Sequence, residues 1–162
     1  MEIPKELSFG VKKALRRLSM GDLTCGEMFS YLTDPRKANS VSQEIAQRVV
    51  CLLTEEGFLD DKRYLKIFVR HLDEKKFGPR RIRQELIKHR FPTRFVEKVL
   101  ERNVDYTKRA VAFLEKKAGA EGLCRSPEGR KKLQDALVRY GYDFGTAHAA
   151  VEKFSSGVDF SD

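Results

Sequence analysis

From Asp61 onward, apolar side chains return at Tyr64, Leu65, Phe68, Val69 and Leu72, a spacing that lines one face of an α-helix. Asp60 is a good N-cap for this helix, and Gly57 suits the end of the one before it. The pattern predicts a stop at Gly78, with Pro79 opening the next helix, where its missing N–H is no loss. In that helix Ile82 and Leu86 share a face. Phe91-Pro92 ends it, and Phe95, Val96, Val99 and Leu100 define a further short helix. Upstream, helices are predicted near residues 11–19, 26–32 and 42–56, with a turn-rich loop over Asp34-Pro35-Arg36-Lys37-Ala38-Asn39-Ser40. No segment alternates strictly, as a half-buried strand does.

The pattern repeats. A shift of 51 residues lays Ile82, Leu86, Ile87 and Phe91 on Leu133, Leu137, Val138 and Tyr142. It also lays Val96, Val99 and Leu100 on Ala147, Ala150 and Val151, and basic Arg80 and Arg81 on Lys131 and Lys132. The simplest architecture is all-α: three tandem three-helix repeats, helix-turn-helix-like, at residues 1–57, 58–103 and 104–162, the last with a C-terminal tail. Units of this size bury their apolar faces poorly alone, so stacking and an elongated, curved shape are expected.

Composition narrows the classes. The longest apolar run, Val49-Val50-Cys51-Leu52-Leu53, is far short of a membrane span. The first residues carry charges at helical spacing instead of a secretory apolar stretch, so a cytoplasmic location is expected. Cys25, Cys51 and Cys124 are odd in number and unclustered, and His71, His89 and His148 are scattered. Reduced core thiols and no metal site are expected. The formal charge of +8 is uneven. Residues 75–102 carry ten basic side chains against three acidic ones, whereas the rest of the chain is nearly balanced. Such a field attracts a polyanion or an acidic protein surface; the plainer alternative is a solvated helix face.

Candidate catalytic chemistry is thin. Asp60-Asp61 is an adjacent acidic pair at a helix start, and capping with a favourable dipole explains it. No serine sits among nucleophile-elbow glycines, and neither G-x-x-x-x-G-K-[ST] nor G-x-G-x-x-G occurs. No catalytic residue and no cofactor are assigned. The basic helix opening at Pro79 is the functional candidate. At about 100° per residue, Ile82 and Leu86 with His89 face one side, and Arg81 and Lys88 the opposite side. Arg80 lies between, with Arg83 and Arg90 on another flank. Arginine forks around an exposed arc suit carboxylates or phosphates. The candidate binding face is Lys75, Lys76, Arg80, Arg81, Arg83, Lys88 and Arg90; the structural caps and turns are Gly57, Asp60, Gly78, Pro79 and Gly141. Ile87, like Val138, is expected to pack on a neighbouring repeat under the Arg83 stem, the alternative being an apolar contact in the exposed arc. Phe58, Tyr64, Phe68, Phe77, Phe91 and Phe95 fall mostly on core periods, so no base-stacking platform is evident.

Gly57-Phe58-Leu59-Asp60-Asp61, followed at matching distance by Phe77-Gly78-Pro79-Arg80-Arg81-Ile82-Arg83-Gln84-Glu85-Leu86, resembles the central signature of the RecX family. Ala14-Leu15, Leu18, Glu27-Met28 and Leu32 look like a less typical first repeat, and Leu133, Leu137 and Tyr140-Gly141-Tyr142 like the last. The resemblance implies three-helix modules in a non-enzymatic regulator that binds the RecA filament, inhibiting strand exchange and filament growth. That would place it in DNA recombination, repair and the SOS response. It implies RecA as partner, weak binding to single-stranded or duplex DNA, no membrane, and a monomer. Arg90 departs from the pattern by standing where the family often has glycine. A left-handed residue there is strained by about 1–2 kcal/mol, which predicts a turn different from that at Gly141. The rival reading is a stand-alone DNA-binding regulator, distinguished by tight, strongly salt-dependent binding to bare DNA.

Overall fold

Side-chain caps set most of the helix starts. Thr24, Ser42, Asp105 and Ser126 each accept the backbone N–H three residues on, opening α2 (Cys25–Thr33), α3 (Gln43–Glu55), α7 (Tyr106–Lys116) and α9 (Pro127–Arg139). Asp60 does the same for Arg63 at the start of α4 (Asp61–Glu74), and Asp143 for Thr146 at the start of α10 (Phe144–Gly157). Pro79 is the first residue of α5 (Pro79–Lys88); α1 (Lys5–Leu18), α6 (Thr93–Leu100) and the short α8 (Ala120–Leu123) complete the set. The computed structural model describes residues 5–157, and no strand occurs among them. The end of the expected C-terminal tail, from residue 158, lies outside the described residues. The helices form successive triplets, with α8 inserted in the third; four residues carry no period by which to foresee it.

Four helices end in one way. The residue after the cap is left-handed, with φ of 75° at Gly57, 59° at Lys76, 55° at Arg90 and 96° at Gly141. The N–H of the next residue then reaches back five positions: Phe58 to Leu53, Phe77 to Leu72, Phe91 to Leu86 and Tyr142 to Leu137. This paired bonding satisfies carbonyls that the helix leaves open. Each left-handed residue is followed by an aromatic one. Two expectations are corrected. α4 ends at Glu74 and turns at Lys76 rather than running to Gly78. Arg90 also makes the same turn as Gly141 despite its Cβ, because the back-bonds from Arg90 N–H to Ile87 and from Phe91 N–H to Leu86 hold it there.

Burial follows the internal echo. Ile82 and Leu86 are buried like Leu133 and Leu137, Phe91 like Tyr142, and Val96 and Val99 like Ala147 and Ala150. Ile87 and Val138 also agree with each other, but in the opposite sense from the packing expectation: they are 57% and 38% exposed. Ile87 therefore lies in the exposed arc. The cysteine expectation is corrected in part: Cys124 is buried, Cys25 is partly buried and Cys51 is exposed, all as free thiols.

The chain divides into two compact units, Met1–Phe68 with Leu86–Val96, and Val69–Glu85 with Glu97–Asp162. The division passes through α4, α5 and α6, so each middle helix contributes to both. In the first unit Leu7, Ala14, Met28, Leu32, Ile45, Ala46, Val49 and Leu53 form the core. Gly10 lets α1 approach α3, because a Cβ there would lie 2.8 Å from the Val49 side chain. The rings of Tyr64, Phe68, His89 and Phe91 cluster at centroid distances of 4.6 to 5.8 Å. In the second unit Ala110, Leu114, Leu133, Leu137, Tyr142, Ala147, Ala150 and Val151 form the core. There Asp73 takes Arg102 at 2.8 and 3.1 Å and Arg109 at 2.9 Å, tying α4 to the residues after α6 and to α7.

One joint is built twice, once in each unit. In the first, the start of α2 clasps the left-handed turn after α5. The fully buried Thr24 hydroxyl donates to the His89 carbonyl at 2.7 Å, while accepting the Glu27 N–H at 3.0 Å. Glu27 reaches back to Thr24 N–H at 2.9 Å, and its second oxygen meets His89 Nδ1 at 2.8 Å. A Cβ on Gly26 would sit 2.8 Å from the Arg90 carbonyl oxygen. In the second, the start of α5 clasps the turn after α9. Gly78 N–H donates to the Tyr140 carbonyl and Arg80 N–H to the Gly141 carbonyl, both at 3.0 Å. The Tyr142 hydroxyl donates to the Lys76 carbonyl. His89 and Tyr140, whose carbonyls are grasped, are partners under the 51-residue shift.

Candidate functional site

The seven basic residues singled out in the sequence divide between the two units and differ in what they do. In the second unit Arg81 is committed internally. Its guanidinium meets Glu85 at 2.7 Å and lies 5.4 Å from the Phe77 ring centroid, and its buried Nε has no partner. Its backbone backs directly on Gly141, where a Cβ would lie within 2.5 Å of the Arg81 Cβ. Arg83 grips Glu97 with both terminal nitrogens, at 3.0 and 3.5 Å. Lys76 supplies the left-handed turn and the carbonyl that Tyr142 holds. Arg80 is exposed and forms no ion pair among the described residues, although its charge helps hold the Asp143 carboxyl below the usual range, after the bonds from Thr146. Lys75 is exposed and lies 5.8 Å from the Phe77 ring, which packs on Tyr140 at 5.3 Å. Arg80 and Lys75 are therefore the available charges of this group. In the first unit Lys88 and Arg90 are exposed.

Asp60 and Asp61 do separate structural work. Asp60 caps its own helix, and the bond from Arg63 N–H keeps its carboxyl below the ordinary range. Asp61 instead accepts the Cys25 N–H at 2.8 Å, at the start of α2. Among the described residues no group of three or more His, Cys, Asp or Glu could hold a metal ion. No described helix is long and apolar enough to cross a membrane.

A second cationic cluster escaped the sequence reading. In the first unit the Tyr31 ring has Lys37 Nζ at 4.1 Å, Lys13 Nζ at 5.1 Å and the Arg17 guanidinium at 6.0 Å from its centroid. The cations come from α1 and from the loop after α2, joined where Lys13 donates to the Asn39 carbonyl at 2.8 Å. Counting charge by segment hid them, since Glu6 and Asp22 balance the same stretch yet lie elsewhere, Glu6 beside Lys5 and Phe9 and Asp22 near Tyr64. The legible signal was the pairing of Lys12-Lys13 with Arg16-Arg17 four residues on, one helical turn apart.

Repeated helical triplets, joined by clasped turns and presenting cationic side chains, define an all-α repeat protein whose surface chemistry suits recognition. Residues 60–100 match the family model described as RecX, second three-helix domain. A curated relative from Xanthomonas axonopodis pv. citri, "Regulatory protein RecX", is 31% identical over 114 residues, covering 70% of each chain. One from Lactobacillus delbrueckii subsp. bulgaricus with the same name is 30% identical over 152 residues, covering 90% of this chain and 54% of that protein. The crystal structure of RecX from Lactobacillus salivarius shares the fold, with a TM-score of 0.76 at 19% identity, covering 95% of this chain and 99% of that one. The chain belongs to the RecX family of regulatory proteins.

Proposed function

We propose that this chain is a non-catalytic cytoplasmic regulator that binds the RecA nucleoprotein filament and restrains strand exchange and filament growth. Family membership supports the regulatory part. The observation that carries the contact is the exposure of Arg80 beside the clasped turn of the second joint, with Lys75 exposed on the same unit. A cation held by a rigid backbone joint loses little freedom on meeting a carboxylate or phosphate, and its fork grips either. Lys75, Lys76, Arg80, Arg81, Arg83, Lys88 and Arg90 remain the proposed binding residues, with Arg80 and Lys75 the informative ones. Charge reversal at Arg81 or Arg83 also breaks bonds to Glu85 or Glu97, so it tests folding as much as binding.

The test is sedimentation with RecA filaments assembled on single-stranded DNA, read alongside RecA-mediated strand exchange. The Lys75→Glu, Arg80→Glu variant is expected to keep its helicity while losing co-sedimentation and inhibition. Full inhibition by that variant rejects this face as the contact. Absence of co-sedimentation by the unaltered chain at modest ionic strength rejects the filament as the partner.

A further inference from the structure

We infer that Lys13 is a modification site, acylated on Nζ by small acyl phosphates that the adjoining cleft holds by their phosphate group. Phe9, Lys12, Lys13 and Arg16 recur at spacings of three and four, so they share one face of α1. With Tyr31 and Ala38 they line a cleft of about 400 Å³, and among the described residues no carboxylate lines it. Its two sides differ in chemistry. Lys12 and Arg16 are exposed cations suited to a phosphate, and Phe9, Tyr31 and Ala38 offer an apolar wall to a short acyl chain. Lys13 is partly buried between them, and its Nζ is held in place by donating to the Asn39 carbonyl at 2.8 Å. That bond uses one N–H and leaves the nitrogen lone pair open once a proton is lost. Desolvation first, and then the Lys37 charge, hold the Lys13 ammonium below its ordinary range, with Asp34 opposing. More of this amine is therefore neutral and nucleophilic than on an ordinary exposed lysine.

The ammonium first gives a proton to water. The neutral Nζ then attacks the acyl carbon, a C–N bond forms, and the C–O bond to phosphate breaks with its electron pair. Inorganic phosphate leaves, and the second proton on nitrogen passes to solvent. Lys12 and Arg16 stabilise the charge that gathers on the departing phosphate. The amide product keeps one N–H for the Asn39 carbonyl but carries no charge. It thus removes one of the three cations, Lys13, Arg17 and Lys37, that crowd the Tyr31 ring. An acyl phosphate fits better than an acyl thioester, because its phosphate is bonded directly to the reacting acyl group and one cleft can hold both. Lys13 acylation stands apart from the filament reading, since it is read as a covalent mark on the chain alone.

The measurement is mass-spectrometric peptide mapping of the full chain during incubation with acetyl phosphate. Lys13 is expected to acetylate about tenfold faster than Lys131, which is exposed on α9 and reacts in the same sample. With the N-hydroxysuccinimide ester of acetic acid, which carries no phosphate, that preference is expected to fall to about twofold. Sulfate is expected to slow Lys13 about threefold against chloride of equal ionic strength, while Lys131 is unchanged. Lys12→Gln with Arg16→Gln is expected to slow Lys13 about fivefold toward acetyl phosphate and less than about twofold toward the ester. A rate at Lys13 no greater than that at Lys131 overturns the site. An equal preference with both donors reduces the effect to amine reactivity and overturns the phosphate-holding cleft. Faster labelling of Lys13 by acetyl-coenzyme A than by acetyl phosphate at equal concentration overturns the assignment of the donor. Circular dichroism confirms that the double variant keeps its helices.

Discussion

A methyl group on Gly78 would lie within 2.5 Å of the Gly141 carbonyl oxygen and the Tyr142 amide nitrogen, neither of which can yield without opening the joint. Gly78→Ala is therefore expected to destabilise the fold by about 3 kcal/mol or more, measured by urea denaturation. Gly141→Ala adds a left-handed φ to a clash with Arg81 and is expected to cost at least as much. Arg90 runs the other way. Its φ of 55° is uncomfortable for a side chain with a Cβ, so Arg90→Gly is expected to raise stability by about 1 kcal/mol in the same assay. Gly57, Asp60 and Gly141 were readable at this scale because glycine after a helix and aspartate before one are strong local signals. Lys76 was not, since nothing in a lysine announces the left-handed region. The back-bonds around it, which come from the helix it terminates, decide its conformation.

At the scale of helices, two bonded groups tie elements together. Thr24 is at once the cap of α2 and the donor to the His89 carbonyl, so Thr24→Ala is expected to cost about 2–3 kcal/mol in thermal denaturation. Asp73 binds two arginines, and burial, which alone would raise its pKa, is outweighed by Arg102 and Arg109, leaving the carboxyl below its ordinary range. A group depressed in the folded state stabilises above its unfolded pKa and loses that contribution as pH falls through the folded one. Asp73→Asn is thus expected to melt lower than the parent at neutral pH, by about 1.5–3 kcal/mol, with the gap closing in acid below about pH 4. Melting curves across that range check both the sign and the window. The helices were legible because their apolar positions keep a period of 3.6 over several turns. The double duty of Thr24 was not, because its partner lies 65 residues away.

For the whole molecule, repeats and packing units are different divisions. The sequence repeats by helical triplet, and the 51-residue echo revealed it; the packing instead gathers into two units whose boundary runs through α4, α5 and α6. Periodicity reports which residues are buried but not which helix end clasps which turn. The same blindness concealed the Tyr31 cluster, where Lys13 reaches the Asn39 carbonyl across 26 residues of chain. In arrays of this kind, stability is close to a sum of local and nearest-neighbour contributions. Gly141→Ala is accordingly expected to speed amide hydrogen exchange first in α7, α9 and α10, with α1 and α3 retaining protection. Uniform acceleration throughout would show one cooperative unit instead.

The bond lengths of the two joints hide a matter of timing. Thr24 must wait for His89, and the Lys76 carbonyl for Tyr142, separations of 65 and 66 residues. Made from its amino end at about 5–20 residues per second, a nascent chain would carry its earliest helices for several seconds before their clasps emerged. During that interval the start of α2 presents a buried-type threonine and a bare glycine to water. Synthesis itself would thus order the assembly, with the first joint closing while the last third is still being translated.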